Sequence, residues 1–398
     1  MAIAPSMAVP LALCIPDVPF TVYDAALKGE LIEFNQNIGR FVTRYKNMID
    51  QFFARRNCWD QIKKVSNDYE FIFTPLYKHP CVAKAAPPSR SYFKLWEILK
   101  MFEGRLLPHK SSIKSAHVCE GPGGFVECMM DWTTRYLPEV FTEMHGMTLM
   151  SKDRVVPCWK LGKNKMAHSN VRLHTGADHT GDVYNIANID HFIEAIGGEG
   201  TCDLVTGDGG FDVKANFNQV ESILERLLIS EVYIAIRACK IGGSFVVKVF
   251  DSFTETTMNL LWLVKQLFAE VYIVKPLTSR PANSERFVVA MGFRGCESVQ
   301  VAKHVLALRT CIETKGGTRI TQVDAPVDFI TLLTSFNTTY AFKQAEQILK
   351  TIEYIEQIYN KRNKDLLNSV LSAQYELCKE WCVAHDLDWV QNTTLSVV

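Results

Sequence analysis

From residue 116 onward, short β-branched runs alternate with stretches of helical spacing. Ala116–Cys119, Met144–Leu149, Val171–Leu173, Asp203–Thr206, Ser244–Phe250, Val271–Val274 and Arg286–Met291 predict strands. Val220–Cys239 and Thr254–Phe268 predict helices between them. Strands alternating with helices imply a mainly parallel sheet covered on both faces, an α/β Rossmann-like architecture. Only the segment from Pro276 to Ser284 separates the last two strands. That is too short for a helical crossover, so the final strand should pair antiparallel at the sheet edge.

The flanks read differently. Residues 1–20 are rich in Pro and Ala and predict an irregular lead-in. Leu31, Ile32, Phe34, Ile38, Phe41 and Val42 suit helices within residues 23–68. Pro87 and Pro88 interrupt the chain, and Ser89 could cap a helix through Tyr92, Leu95, Trp96, Ile98 and Leu99. Past Cys296, the residues Phe342, Ala345, Ile348, Leu349, Ile352, Ile355, Ile358 and Tyr359 recur at helical spacing, and a second helix covers Leu366 to about Val383. The expected division is an N-terminal helical region (1–88), an α/β core (89–296) and a C-terminal helical appendage (297–398) that packs on the core.

Composition narrows the class. In a chain of 398 residues, 47% hydrophobic and 22% charged content is ordinary for a globular protein and argues against disorder. Forty-three basic and forty-three acidic residues cancel, so any polyanion contact must come from a local patch. The twelve cysteines form no Cys-x-x-Cys pair and no zinc-ligand spacing, which suits a reducing compartment. The start, MAIAPSMAVPLALCIP, lacks a charged segment before its apolar run, and no run approaches the ~20 apolar residues of a membrane span. The expectation is a soluble protein, nuclear or cytoplasmic and not secreted.

Five segments carry candidate chemistry. His117-Val-Cys-Glu-Gly-Pro-Gly-Gly-Phe-Val places a glycine-rich turn after a strand and before a helix. Val126 stands where the dinucleotide fingerprint needs its third glycine, which disfavours a nicotinamide oxidoreductase. The loop suits either a plain strand–helix turn or a nucleotide-like ligand without a pyrophosphate, for which S-adenosylmethionine is the obvious choice. Asp208, flanked by glycines at a strand's carboxyl end, is either an Asx-turn or a ligand-facing acid. Lys248 lies in an apolar strand, where a lysine is costly unless paired or of lowered pKa. Glu285 opens the last strand beside small residues, and Lys94 sits on a helix among aromatics. Each of these last two alone would pass as solvated.

In the order Lys94, Asp208, Lys248, Glu285, these residues resemble the Lys-Asp-Lys-Glu tetrad of the FtsJ-like 2′-O-methyltransferases. The likeness extends to Ser-Arg-x-x-x-Lys-Leu before the first lysine, Gly-Pro-Gly-Gly-Phe, and Gly-Gly-Ser-Phe-Val-Val-Lys-Val-Phe at the second. His145-Gly-Met-Thr-Leu, Asp178-His-Thr-Gly-Asp-Val and Lys275-Pro-Leu-Thr-Ser-Arg-Pro-Ala-Asn-Ser-Glu resemble the cap-specific mRNA branch. The last of these is especially similar to the branch that methylates the first transcribed nucleotide. The resemblance covers about residues 89–294.

It implies that Lys248 is the base, that Asp208 holds it, that Lys94 lowers its pKa, and that Glu285 orients the lysine or the ribose. It further implies S-adenosylmethionine as cofactor, with Gly121, Pro122, Gly123, Gly124, Phe125, Asp182 and Asp208 around it. The strand ending Gly-Met-Thr-Leu carries no carboxylate for the cofactor ribose, a departure from the wider class. Asn218, Arg280 and Ser284 fall in stretches resembling substrate contacts, and m7G-capped mRNA is the implied partner, with no metal and no membrane. Lys152, Arg154, Lys160, Lys163, Lys165 and Arg172 around Trp159 offer either a phosphate-binding, base-stacking loop or a solvated loop with a packed tryptophan. An rRNA or tRNA 2′-O-methyltransferase and an inactive RNA-binding relative are the alternatives.

Overall fold

A computed structural model of the chain describes residues 10–53, 58–77, 79–107, 111–153, 156–162, 166, 170–210, 220–296, 299–314 and 323–390. Its strands are β1 (Leu11–Ile15), β2 (Ser112–Val118), β3 (Phe141–Met147), β4 (Val171–His174), β5 (Cys202–Gly207), β6 (Cys239–Val249), β7 (Phe268–Lys275) and β8 (Arg286–Phe293). They form one sheet in the order β1-β7-β8-β6-β5-β2-β3-β4. The pairs β2–β3, β2–β5, β3–β4 and β5–β6 are parallel. The pairs β6–β8, β7–β8 and β1–β7 are antiparallel.

All seven expected strands are present, and the last two do pair antiparallel. The lead-in is not irregular throughout, however. Leu11, Leu13 and Ile15 turn inward while Ala12 and Cys14 stay exposed, the alternation of a half-buried edge strand. Because β1 pairs along β7, from Leu11 opposite Lys275 to Ile15 opposite Val271, the hairpin is not the sheet edge. Strand β8 lies inside, between β7 and β6.

The helices are α1 (Ala25–Asn47), α2 (Asp50–Phe53), α3 (Cys58–Val65), α4 (Ser91–Met101), α5 (Gly124–Tyr136), α6 (Ile186–Ala195), α7 (Val220–Ala238), α8 (Glu255–Leu267), α9 (Val299–Glu313), α10 (Val327–Tyr354) and α11 (Lys364–Ala384). One sheet face buries Val205, Val247 and Val288 with Phe192, Ile234 and Leu263 of α6, α7 and α8. The other buries Leu204, Val246 and Val289 with Phe93 and Trp96 of α4, Met129 of α5 and Trp381 of α11. Adjacent strand residues thus serve opposite faces, and Lys248 falls in phase with Val246, on the α4 side.

Ser89 is not the cap of α4; its hydroxyl meets that of Ser91 at 2.5 Å, and Arg90 precedes the helix without a side-chain cap. The C-terminal helices pack on the core through Phe336, Tyr340, Ala341, Ile348, Tyr375 and Trp381. Phe342 and Leu349, expected on the apolar face, are exposed. Among the described residues no helix is long and apolar enough to cross a membrane, and no group of His, Cys, Asp and Glu is placed to hold a metal.

Candidate active site

Strand β2 lies between β3 and β5, so successive chain crossovers leave it in opposite directions. In such sheets a crevice opens at the carboxyl ends of the strands. The glycine loop follows β2 there and Asp208 follows β5. Lys248 is near the end of β6, and Glu285 immediately precedes β8, which enters from the same side because it is antiparallel. Lys94 comes from α4.

The four residues meet as two ion pairs. Lys94 Nζ lies 2.7 Å and 2.8 Å from the two oxygens of Glu285, and both side chains are nearly buried. Lys248 Nζ donates to the Asp208 carbonyl at 2.7 Å and stands 3.0 Å from its Oδ1. The pairs share one field. Burial pushes the Glu285 carboxyl up, but Lys94, Lys248 and Lys275 override it and hold it below the ordinary 4.5. Burial pulls Lys248 down, yet Asp208 and Glu285 together keep it above the ordinary 10.5. The expected lowering of Lys248 by Lys94 is therefore reversed. Lys94 spends its charge on Glu285, leaving Lys248 under carboxylate control.

Helix α4 grips the Glu285 loop along one face. Arg90, Lys94 and Glu97 are spaced four and three residues apart, which stacks them on the same side. Arg90 donates to the Thr278 carbonyl at 3.3 Å and Lys94 holds Glu285. Glu97 accepts the Leu277 and Thr278 N–H groups at 2.6 and 3.1 Å and the Thr278 hydroxyl at 3.0 Å. Burial pushes Glu97 up to about 7, against those hydrogen bonds.

Lys275, quoted in the sequence only as part of a motif, is also at the centre. Its ammonium donates to the Glu285 carbonyl at 2.7 Å, the Asn283 carbonyl at 2.9 Å and the Asn283 side-chain oxygen. Burial carries its pKa well below the ordinary 10.5, with the Glu285 carboxylate opposing. Helix α10 reaches the same loop: Tyr340 donates to the Asn283 carbonyl and Gln344 to that of Ala282 at 2.9 Å. A lysine at the last position of an apolar strand, five residues after β7's Glu270, was the available signal; the helix that holds its loop partners in place is distant in sequence and could not be read.

At the glycine loop, the chain's own packing demands small residues. A Cβ on Gly121 would fall 2.0 Å from the Pro157 carbonyl oxygen, and one on Gly123 would fall 2.7 Å from Leu161. One on Gly124 would meet the hydroxyls of Ser91 and Ser89 at 2.1 and 2.2 Å. Gly123, at φ 113°, is the left-handed residue before α5. Pro122 accepts the Lys160 N–H at 2.9 Å, tying the strap 157–161 to the loop. Phe125 is fully buried against Phe287, so its ring faces the core.

Around this loop the donor set is acidic. Glu120 Oε2 is buried without a hydrogen-bond partner, and burial raises the carboxyl against the pull of His117. Asp182, half-buried, accepts the Tyr184 N–H at 2.8 Å. Glu231 accepts the Gly209 N–H at 2.9 Å and is pushed up to about 8 by burial. The Cys119 thiol is pushed well up by burial and then by Glu231, Glu120 and Asp182, with Lys248 opposing. Such a set fits a cationic ligand bearing ammonium and sulfonium groups.

On the substrate side, Ser284 is buried beside Glu285, and Arg280 is engaged with Glu70 at 2.7 and 3.0 Å. Asn218 lies outside the described residues, as do Arg154, Lys163 and Lys165. Lys152, Lys160 and Arg172 are exposed, while Trp159 is half-buried against Gly146 with its indole N–H enclosed, a packed tryptophan.

Residues 87–293 match the family described as FtsJ-like methyltransferase. A Danio rerio cap-specific mRNA (nucleoside-2′-O-)-methyltransferase 1 is 27% identical over 88% of this chain and 44% of its own length. A Mus musculus cap-specific mRNA (nucleoside-2′-O-)-methyltransferase 2 is 28% identical over 53% of this chain and 28% of its length. An inactive cap-specific mRNA (nucleoside-2′-O-)-methyltransferase 1B from Caenorhabditis briggsae is 36% identical over 50% of this chain and 23% of its length. The chain spans less than half the length of each of these relatives.

Proposed function

The chain belongs to the FtsJ-like methyltransferase family, and we propose that it methylates the ribose 2′-hydroxyl of the first transcribed nucleotide of m7G-capped mRNA, using S-adenosylmethionine. The observation that carries this reading is the meeting of Lys94–Glu285 and Lys248–Asp208 at the carboxyl edge of the sheet, beside an acid-lined glycine loop. The similarity to cap-specific relatives supports the substrate.

A ribose hydroxyl is a poor acid and needs a positioned base as its oxygen becomes a nucleophile. When bound, S-adenosylmethionine supplies an activated methyl group on a sulfonium. Glu120 and Asp182 fit its cationic and hydrogen-bonding groups, and the Gly121 amide and Thr148 hydroxyl, 3.1 Å apart, line the same loop. Lys248 points at the crevice with Asp208 holding its Nζ through two oxygens. It carries its proton in the free protein, so it accepts the hydroxyl proton only after releasing its own. Lys94 neutralises Glu285 and leaves two pairs with no net charge, which lowers the cost of enclosing all four. Positioning supplies much of the remaining acceleration.

Labelled methyl transfer to matched m7G-capped and uncapped RNA tests the assignment. Capped RNA should be methylated at the first nucleotide and uncapped RNA spared. Equal transfer to both would move the reading to an rRNA or tRNA enzyme. Capped-RNA binding without any transfer would place the chain with the relative named inactive.

A further inference from the structure

Glu70 lies outside the family-matched span, on a short helical turn at Glu70–Ile72, and is wholly enclosed. Its carboxylate collects four donors. Arg90 Nη2 is at 2.6 Å, Arg280 Nη2 at 2.7 Å, Arg280 Nε at 3.0 Å and Asn67 Nδ2 at 2.6 Å. Burial would raise the carboxyl, but the two guanidinium groups overwhelm it and hold it well below the usual range. The turn is rigid because Phe71 is buried against Tyr375 of α11 and Asn67 takes a Gln374 hydrogen bond on its carbonyl.

Two arginines share the Glu70 carboxylate, and Asp60 acts on Arg280 as well. Both stand within the field of Glu285. Arg90 is spent: it also donates to Thr74 Oγ1 and the Thr278 carbonyl. Arg280 is different. It gives Nε and Nη2 to Glu70, Asp60 also acts on it, and its side chain remains 30% accessible. A guanidinium anchored along one edge presents the other as a fixed fork, the geometry that recognises phosphate oxygens.

We propose that Arg280, oriented by Glu70, binds a phosphate of the RNA next to the acceptor ribose, and that Glu70 is a positioning residue acting through it. The inference rests on the proposed RNA substrate. The phosphate is either in the triphosphate bridge of the cap or the phosphodiester 3′ of the acceptor ribose, since both lie one bond system from the 2′-hydroxyl's sugar.

The test is equilibrium binding of RNA as a function of salt, which needs no turnover and so fails separately from the methylation assay. For the wild-type protein and Arg280→Ala, the affinity of a capped dinucleotide-length RNA and of the cap with a single nucleoside would be measured with the cofactor product present. Loss of one phosphate contact should reduce the slope of log affinity against log salt by roughly 0.7–1 and raise KM more than it lowers kcat. A reduced slope on both ligands assigns the bridge, and one confined to the longer RNA assigns the phosphodiester. Glu70→Gln should raise KM in the wild-type background and add nothing in Arg280→Ala. Should Glu70→Gln not fold, Arg280→Lys takes its place: it should restore the salt slope without restoring KM, because a lysine cannot serve both partners. An unchanged slope in Arg280→Ala overturns the phosphate contact. An equal Glu70→Gln effect in both backgrounds overturns the positioning role.

Discussion

The Lys94–Glu285 pair invites a double-mutant cycle in which stability and activity should part company. Its atoms lie at 2.7 and 2.8 Å, with side-chain exposures of 10% and 8%. At an effective dielectric of about 20, unit charges at that separation attract by about 6 kcal/mol before desolvation is counted. Removing one partner of such a buried pair costs about 3–5 kcal/mol, because the other charge stays enclosed. Glu285→Gln strands Lys94 and leaves Lys275 facing a neutral amide; Lys94→Met leaves Glu285 with Ser279 Oγ, at 2.6 Å, and Lys275. Each single variant should therefore unfold at clearly lower denaturant. The double variant Lys94→Met/Glu285→Gln should recover much of the loss, with a coupling of about 2–3 kcal/mol. Methyl transfer should not recover, since a pair of neutral side chains cannot rebuild the field around Lys248. The assays are urea unfolding and single-turnover transfer on the same preparations. Stability losses that simply add, with coupling below about 0.5 kcal/mol, would refute the claim that the pair is a unit.

Lys248→Met should lower transfer by roughly 10²–10⁴-fold, the range for a general base, while cofactor binding by calorimetry changes little. Because Asp208 and Glu285 hold Lys248 above 10.5, kcat/KM should climb with pH from about 7 to 9 without a plateau, and Glu285→Gln should move that climb to lower pH; a flat wild-type profile would remove Lys248 from the proton path. The same raised pKa stabilises the fold fully below 10.5, and that contribution should fade as pH rises through the folded value. Glu285 works in the opposite direction: its depressed carboxyl stabilises above 4.5, and the contribution should be lost on acidification below that, a loss absent from Glu285→Gln in acid-unfolding titrations. Glu97→Gln replaces one acceptor oxygen with an amide donor facing Leu277 or Thr278, and should cost about 1–3 kcal/mol in denaturant unfolding.

Those tests fall on residues whose legibility in the sequence differed for physical reasons. The inner strands were readable because a doubly buried strand must be continuously apolar, as Phe245–Val249 is apart from its lysine. Strand β1 was missed: five residues between prolines carry too short an alternation to stand out from a loop, and its pairing with β7 lies some 260 residues away. The tetrad members were legible as residue types in unlikely places, and the resemblance set Asp208 to hold Lys248, as it does; the pairing of Lys94 with Glu285 was not legible. The resemblance implies that Lys94 lowers the Lys248 pKa, whereas the folded chain gives Lys94 to Glu285 and leaves Lys248 to the carboxylates, so the Lys248 shift runs upward.

The flanking regions carry the larger lesson about the site. Read as spacing, the segments before residue 89 and after 296 offer only amphipathic helices, which any core could use. In three dimensions they converge on one loop, residues 276–285. Glu70 takes Arg280 from one side, and Tyr340 and Gln344 take Asn283 and Ala282 from the other. Arg286, wholly buried, lies 4.5 Å over the Tyr340 ring and donates to Asn337 at 3.1 Å and to the Phe250 carbonyl just beyond Lys248. A loop so short, carrying Ser279, Arg280, Ser284 and Glu285, cannot fix four side chains by its own turns. The N- and C-terminal helices supply the missing constraints. Tyr340→Phe, which removes only a hydroxyl, should therefore loosen the Glu285 side of the site: kcat should fall while the melting transition moves by no more than about 1 kcal/mol of stability, the worth of a single hydrogen bond. Unaltered turnover in that variant would show that α10 merely covers the sheet.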